Sequence, residues 1–137
     1  MKTIVTALAT LGICSGVRRR LEQNGCPVRT AAGGHIKLTA LWNKQGAFGL
    51  KLKREALAVL SAAALILVWT QRKRSALAAG LILGGGLSNL AERLLHGKVY
   101  DYVQFPKAPW KLKKYVFNLA DFAIFIGGIL LALGRRK

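Results

Sequence analysis

The chain has 137 residues, enough for one domain or one small membrane bundle. Hydrophobic residues make up 53% of it although its formal charge is +17, a pairing that fits apolar spans separated by basic loops better than a soluble domain. Its two cysteines, Cys14 and Cys26, lack metal-ligand spacing and one lies inside a predicted helix, so they imply neither a disulfide framework nor a zinc site.

An apolar run over residues 4–17 follows Lys2 and imitates a secretory signal peptide. Cleavage before Gly16 would leave arginines just after the cut, so the run reads as a retained first span. RRRLEQNGCPVRTAAGG comes next, polar and rich in turn formers. HIKLTALW, residues 35–42, alternates in part and predicts a short strand. NKQGAFGLKLKRE continues it, with Gly46 and Gly49 permitting tight turns. A β element at about residues 33–52 is too small to bury a core alone, which places it on a membrane surface.

Two further apolar runs, 56–70 and 75–91, are joined by QRKR, a link short enough to force an antiparallel helical hairpin. Residues 95–114 connect them to the last run, 115–134, which alone reaches the roughly 20 residues of a perpendicular span. The tyrosines and Trp110 of that connection are of the type that settles at a membrane interface. The expected fold class is an all-α membrane protein with four transmembrane helices and a small surface β element, forming one domain over residues 1–137.

The 22 Lys and Arg residues are spread over every loop and both ends, with no basic helix face and no aromatic base-stacking array. Contact with the anionic headgroups of membrane lipids accounts for them, and nucleic acid is not expected as a partner.

The acidic residues are few, five in all. Two of them sit closest to membrane depth, in near-identical tetrapeptides: Asn89-Leu-Ala-Glu92 ends the third run, and Asn118-Leu-Ala-Asp121 opens the fourth. Asn at i and a carboxylate at i+3 share a helix face, so adjacent spans each offer an amide and an acid. Two carboxylates in a low-dielectric site share a proton, one serving as base and the other as acid. Such a pair can activate water against a peptide carbonyl. The plainer reading remains open: Glu92 reaches the interface and pairs with Arg93 or a loop lysine, and Asp121 stabilises a helix N-terminus.

At these residues the chain resembles the lipoprotein signal peptidases (signal peptidase II), bacterial intramembrane aspartic proteases. The family carries a glycine-rich run ending N-x-x-D-R, a V-x-D-F-like loop and F-N-x-A-D in its last span; here they read GGGLSNLAERL, VYDYVQF and VFNLADFAI. LWNKQGAFGL loosely matches the family's N-x-G-A-A-F. The motifs keep their order from about residue 35 to residue 133.

The resemblance implies four transmembrane helices with cytoplasmic ends, an extracytoplasmic β-cradle, and a multi-pass place in the bacterial cell membrane. It implies a monomer that cleaves a prolipoprotein before its lipid-modified cysteine, with neither metal nor cofactor. Carried over by position, Asp121 and Glu92 form the catalytic pair. Asn43, Asn89, Arg93 and Asn118 fall on substrate-binding or dyad-supporting positions, and Asp101 on a loop aspartate whose role is structural or functional. Three departures stand out. Glu92 replaces an aspartate, Cys14 or Ser15 falls where the first span's D-Q-x-x-K motif has its acid, and Gln45 replaces a glycine. With cytoplasmic ends, the two outer loops hold fifteen of the twenty-two basic residues, against the positive-inside tendency. The alternatives are a non-catalytic lipoprotein-binding or scaffold relative and a small transporter subunit relaying protons through its acids.

Overall fold

The computed structural model describes residues 1–45 and 50–134. The turns expected at Gly46 and Gly49 and the basic tail Arg135–Lys137 lie outside the described residues. Among the described residues are four α-helices, α1 (Lys2–Asn24), α2 (Arg54–Thr70), α3 (Ala76–His96) and α4 (Leu119–Leu133), and four strands, β1 (Arg29–Ala31), β2 (Ile36–Asn43), β3 (Val99–Gln104) and β4 (Val116–Phe117).

The helices stand where the apolar runs lie, with different ends. α1 runs on through the arginines to Asn24. α3 begins at a Ser75 cap, whose hydroxyl accepts from the Ala78 amide (3.2 Å), and extends past residue 91 to a left-handed Gly97. α4 starts later than expected because Asn118 is its N-cap, with an extended backbone. The three residues before Leu119 therefore belong to β4 and the cap rather than to a span. The link between α2 and α3 closes through turn hydrogen bonds, such as Arg74 N–H to the Gln71 carbonyl (2.9 Å), and gives the expected hairpin.

α3 is the centre of the bundle, and its small residues let three neighbours approach. A Cβ added at Gly84 would lie 2.5 Å from the Ala7 carbonyl oxygen of α1. One added at Gly85 would lie 2.7 Å from the Ala120 carbonyl oxygen of α4. This is backbone-to-backbone packing through glycine, the device by which helices associate where apolar burial alone gives little drive. The guanidinium of Arg54 donates to the Leu94 carbonyl and ties the start of α2 to the end of α3.

The strands form one antiparallel sheet in the order β1-β2-β3-β4. The expected β element at 33–52 accounts only for β2. β3 and β4 come from the connection before α4, where a Val/Tyr-rich run around Asp101 buries four successive residues, Val99 to Tyr102. β2 and β3 pair Leu41 with Asp101 and Asn43 with Val99, after an irregularity between Leu38 and Leu41. The sheet adjoins the end of the bundle where α3 stops and α4 starts.

No helix among the described residues is long and apolar enough to cross a membrane. α2 and α4 have 17 and 15 residues, roughly 25 and 22 Å long against a hydrocarbon core of about 30 Å. Of the four expected transmembrane spans, α2 and α4 are thus short for a perpendicular crossing, while α1 and α3, with 23 and 21 residues, are long enough but not apolar enough. All four expose large apolar side chains, among them Leu8, Val59, Leu77 and Phe125.

Candidate functional site

The site forms at the junction of α3, β3 and α4, and its organiser is Asn118. As N-cap of α4, its side-chain oxygen accepts from the Asp121 amide (3.0 Å), while Oδ2 of Asp121 accepts from the Asn118 amide (2.9 Å). This reciprocal capping box settles two of the four amides that a helix start leaves without partners, and turns the Asp121 carboxylate back toward the sheet. Oδ1 of Asp121 takes a further hydrogen bond from Asn89 Nδ2 of α3 (3.1 Å).

The side-chain amide of Asn118 donates to two acceptors, Oδ1 of Asn89 (3.0 Å) and Oδ1 of Asp101 (3.0 Å). Asn43, at the end of β2, donates from Nδ2 to the other oxygen of Asp101 (3.1 Å). One residue, Asn118, therefore binds Asp101 through its side chain and Asp121 through its backbone. Asn89, Asp101 and Asn118 are buried. Burial is the main reason that the Asp101 carboxyl is pushed up to about 7. The charge of Asp121 adds to the rise, and the hydrogen bonds from Asn43 and Asn118 oppose it.

Glu92 takes another direction. Its Oε2 accepts from the Tyr100 amide of β3 (2.9 Å), and its Oε1 lies 3.2 Å from Nε of Arg18 on α1. Arg18 also holds Glu22 one turn on (2.8 Å). Among the described residues Glu92 and Asp121 share no hydrogen-bond partner, and no hydrogen bond joins the two acids that were expected to pair. The plainer expectation for Glu92, a partner in Arg93 or a loop lysine, is met in part: its ion pair is with Arg18 of α1, while Arg93 attracts it without direct contact. The reason is geometric. Asn89 and Glu92 both lie inside α3, so the acid follows the helix face toward α1 and β3 rather than folding back over a helix start.

Arg93, half-buried, is near enough to Asp121, Asp101 and Glu92 to be attracted by all three. Of the expected site residues, then, the structure gathers Asn43, Asn89, Asn118, Asp101 and Asp121 into one hydrogen-bonded cluster. Arg93 stands close by and Glu92 sits beside it with partners of its own.

Sequence reasoning missed Tyr102 and Arg18. The Tyr102 hydroxyl accepts from the Leu119 amide (2.9 Å), satisfying another open amide of α4; burial is the main reason that the phenol is pushed up to about 12. The VYDYVQF motif contained the signal, since alternate residues of a strand, Tyr100 and Tyr102, flank its acid. Nothing local marked Arg18 out from Arg19 and Arg20. Among the described residues no three His, Cys, Asp or Glu side chains gather into a set that could hold a metal. Both cysteines are free thiols, with Cys26 Sγ 3.3 Å from the Thr39 carbonyl oxygen.

The fold is shared with solved structures. Two chains described as bacterial membrane enzymes, solved by the in meso method, superpose with TM-scores of 0.82 and 0.80 at 20% identity. They cover 96% of this chain, and 85% and 90% of their own lengths are matched. Curated relatives share more sequence. The lipoprotein signal peptidase of Methylorubrum extorquens is 41% identical over 103 residues, 68% of this chain and 59% of its own length. That of Syntrophomonas wolfei is 38% identical over 112 residues, 77% of this chain and 71% of its own. That of Shewanella oneidensis is 46% identical over 74 residues, 49% of this chain and 41% of its own. The chain thus spans well under the full length of several of these relatives. The sequence profile described as signal peptidase (SPase) II matches residues 3–135. With nearly the whole chain matched, and with the acids and asparagines of its motifs drawn together at one junction, this chain belongs to the signal peptidase II family.

Proposed function

We propose that the chain is an intramembrane aspartic-type endopeptidase that cleaves the signal peptide of prolipoproteins before the lipid-modified cysteine, and that Asp101 and Asp121 are its acid–base pair. The observation that carries the reading is the bridge through Asn118, which binds both carboxyl groups and presents them from β3 and the start of α4. With the Asp101 carboxyl pushed up to about 7, the pair readily holds a proton near neutral pH. Its ionised member draws a proton from water as the water attacks the scissile carbonyl, and its protonated member hands one to the substrate. Asn43 and Asn89 hold the carboxyl groups in place, and Arg93 supplies a cation for a substrate carbonyl or lipid phosphate. On this reading Glu92 lies outside the chemistry, so its extra methylene does not disqualify the chain as an enzyme.

The bundle sits in the bacterial cell membrane with the sheet on the extracytoplasmic side. The support is the belt of exposed apolar side chains on all four helices. The short helices are accommodated by local thinning and by the flanking lysines and arginines, whose stems reach outward to the headgroups. The chain acts as a monomer, in contact with membrane lipids and its prolipoprotein substrate.

The test is incubation of the purified chain with a diacylglyceryl-modified precursor. Cleavage before the modified cysteine, lost in a folded Asp121→Asn variant, is the expected result. Inertness of the unaltered chain toward several lipidated precursors overturns the proposal and moves the protein to a binding or scaffold role.

A further inference from the structure

The Glu92 side chain is buried and absent from the acid–base pair, yet two partners hold it. One is a backbone amide, that of Tyr100, the residue immediately before Asp101 (2.9 Å). The other is Arg18 of α1 (3.2 Å), which Glu22 holds from its other side (2.8 Å). Three elements thus meet at one side chain. α3 supplies Glu92, α1 supplies its counter-charge, and β3 supplies the amide.

We infer that Glu92 is a positioning residue for the reaction, a latch through which Arg18 on α1 sets the placement of Asp101 on β3. The inference rests on the acid–base pair proposed above.

The strand needs such a latch. Next to Asp101 the β2–β3 ladder is irregular, with regular pairing lost between Leu38 and Leu41, just where Leu41 faces Asp101. On its other side β3 has only the two-residue β4, paired at Val103 and Gln104 and not at Tyr100 or Asp101. The side chains around the acid are anchored elsewhere: Asn43 by the end of β2, and Asn118 by the α4 cap. The Tyr100 amide is the backbone point next to Asp101 that is tied to the helix bundle, and Glu92 makes that tie. The charged groups facing Glu92 are Arg18 and Glu22 from α1 and Arg93 from its own helix. Arg18 neutralises the buried carboxylate without drawing it from the amide, because it meets the other oxygen. The length of the glutamate lets it reach both partners from α3.

Glu92→Ala and Glu92→Gln separate positioning from chemistry. Glutamine keeps an oxygen for the Tyr100 amide and loses only the charge, so its kcat falls by no more than about tenfold. Alanine frees the strand, and kcat falls on the order of a hundredfold with KM close to that of the unaltered chain. In the same samples, amide hydrogen exchange at Tyr100 reads the latch without any substrate: slow in the unaltered chain and in Glu92→Gln, and faster in Glu92→Ala while amides within α4 stay protected. A Glu92→Gln variant that is folded and as inactive as Asp121→Asn overturns the inference by making Glu92 a chemical participant. Unchanged kcat together with unchanged Tyr100 exchange in Glu92→Ala overturns it from the other side. If the unaltered chain cleaves nothing, the proposed function fails, and Tyr100 exchange decides the latch by itself.

Discussion

The end of α3 and the start of α4 lie side by side and carry the same Asn-Leu-Ala-acid tetrapeptide, but they use it differently. On α4 the asparagine is an N-cap with φ −124° and ψ 174°, so its acid three residues on folds back to the cap amide and faces the sheet. On α3 the whole tetrapeptide is helical, and its acid runs along the helix face to α1 and the Tyr100 amide. The two asparagines meet, Nδ2 of Asn118 to Oδ1 of Asn89 at 3.0 Å, while the two acids go separate ways. A motif therefore does not fix the direction of its carboxylate. Its position relative to a helix end does, because only at a start are there open amides to fold back upon. The other acid that Asn118 binds comes instead from a strand, Asp101.

The largest break in this arrangement is Asn118→Ala. It removes the cap of α4, worth about 1 kcal/mol, and leaves Asp101 Oδ1 without its donor. Cleavage should fall on the order of a hundredfold, as measured by single-turnover rates, with a modest loss of thermal stability. Rates within a factor of about two of the unaltered chain would mean that the bridge between the acids is not needed.

Asn43→Ala sharpens the comparison through pH. Asp101 is pushed up to about 7, chiefly by burial, so it holds a proton below that pH and loses it above. Cleavage should decline as pH rises through about 7. Stability should decline over the same rise, from the ordinary carboxylate range upward, because the buried site favours the neutral form that folding retains. The Asn43 hydrogen bond favours the ionised form. Its removal should move the alkaline limb of the pH–rate profile to higher pH, with a rate loss of about tenfold. An alkaline limb that stays in place would detach Asp101 from the titrating pair.

Gly84→Ala acts far from either acid. Its Cβ would stand 2.5 Å from the Ala7 carbonyl oxygen, so α1 and α3 must separate at a cost of about 1–3 kcal/mol. The melting temperature should drop while the pH–rate profile keeps its shape. A shifted profile would show that the bundle seam sets the electrostatics of the site.

Much of this was legible in the sequence. Four helices could be placed from apolar runs, the hairpin from the brevity of QRKR, and three members of the cluster, Asn89, Asn118 and Asp121, from two copies of one tetrapeptide. The partner of Asp121 was not legible. Asn89 and Asn118 read as equivalent because periodicity does not reveal which asparagine begins a helix, and the apolar run of α4 already begins at residue 115. β3 was hidden for a related reason. Buried on both faces, its run from Val99 to Tyr102 lacks the alternation that marks a half-exposed strand. Arg18 reaches Glu92 across 74 positions of sequence, and no local pattern encodes such a contact.

The smallest expected effect concerns the surface. Trp110 is 87% exposed, and Lys107, Lys111, Lys113 and Lys114 surround it in sequence. Binding of the detergent-free protein to anionic vesicles should weaken with salt, and Trp110→Ala should lower it by a few-fold, about 1 kcal/mol or less. Tight, sequence-selective binding of an oligonucleotide at physiological salt would overturn the assignment of these lysines to lipid.

The central claim is that Asp101, rather than Glu92, completes the pair with Asp121. The most direct measurement is the cleavage rate of a folded Asp101→Asn variant on a lipid-modified precursor, with fold checked by its thermal transition. Asparagine keeps the size of the side chain and cannot exchange the proton, so the rate should fall by at least about a hundredfold. A folded Asp101→Asn variant that cleaves at the rate of the unaltered chain would contradict the account and return the second catalytic role to Glu92.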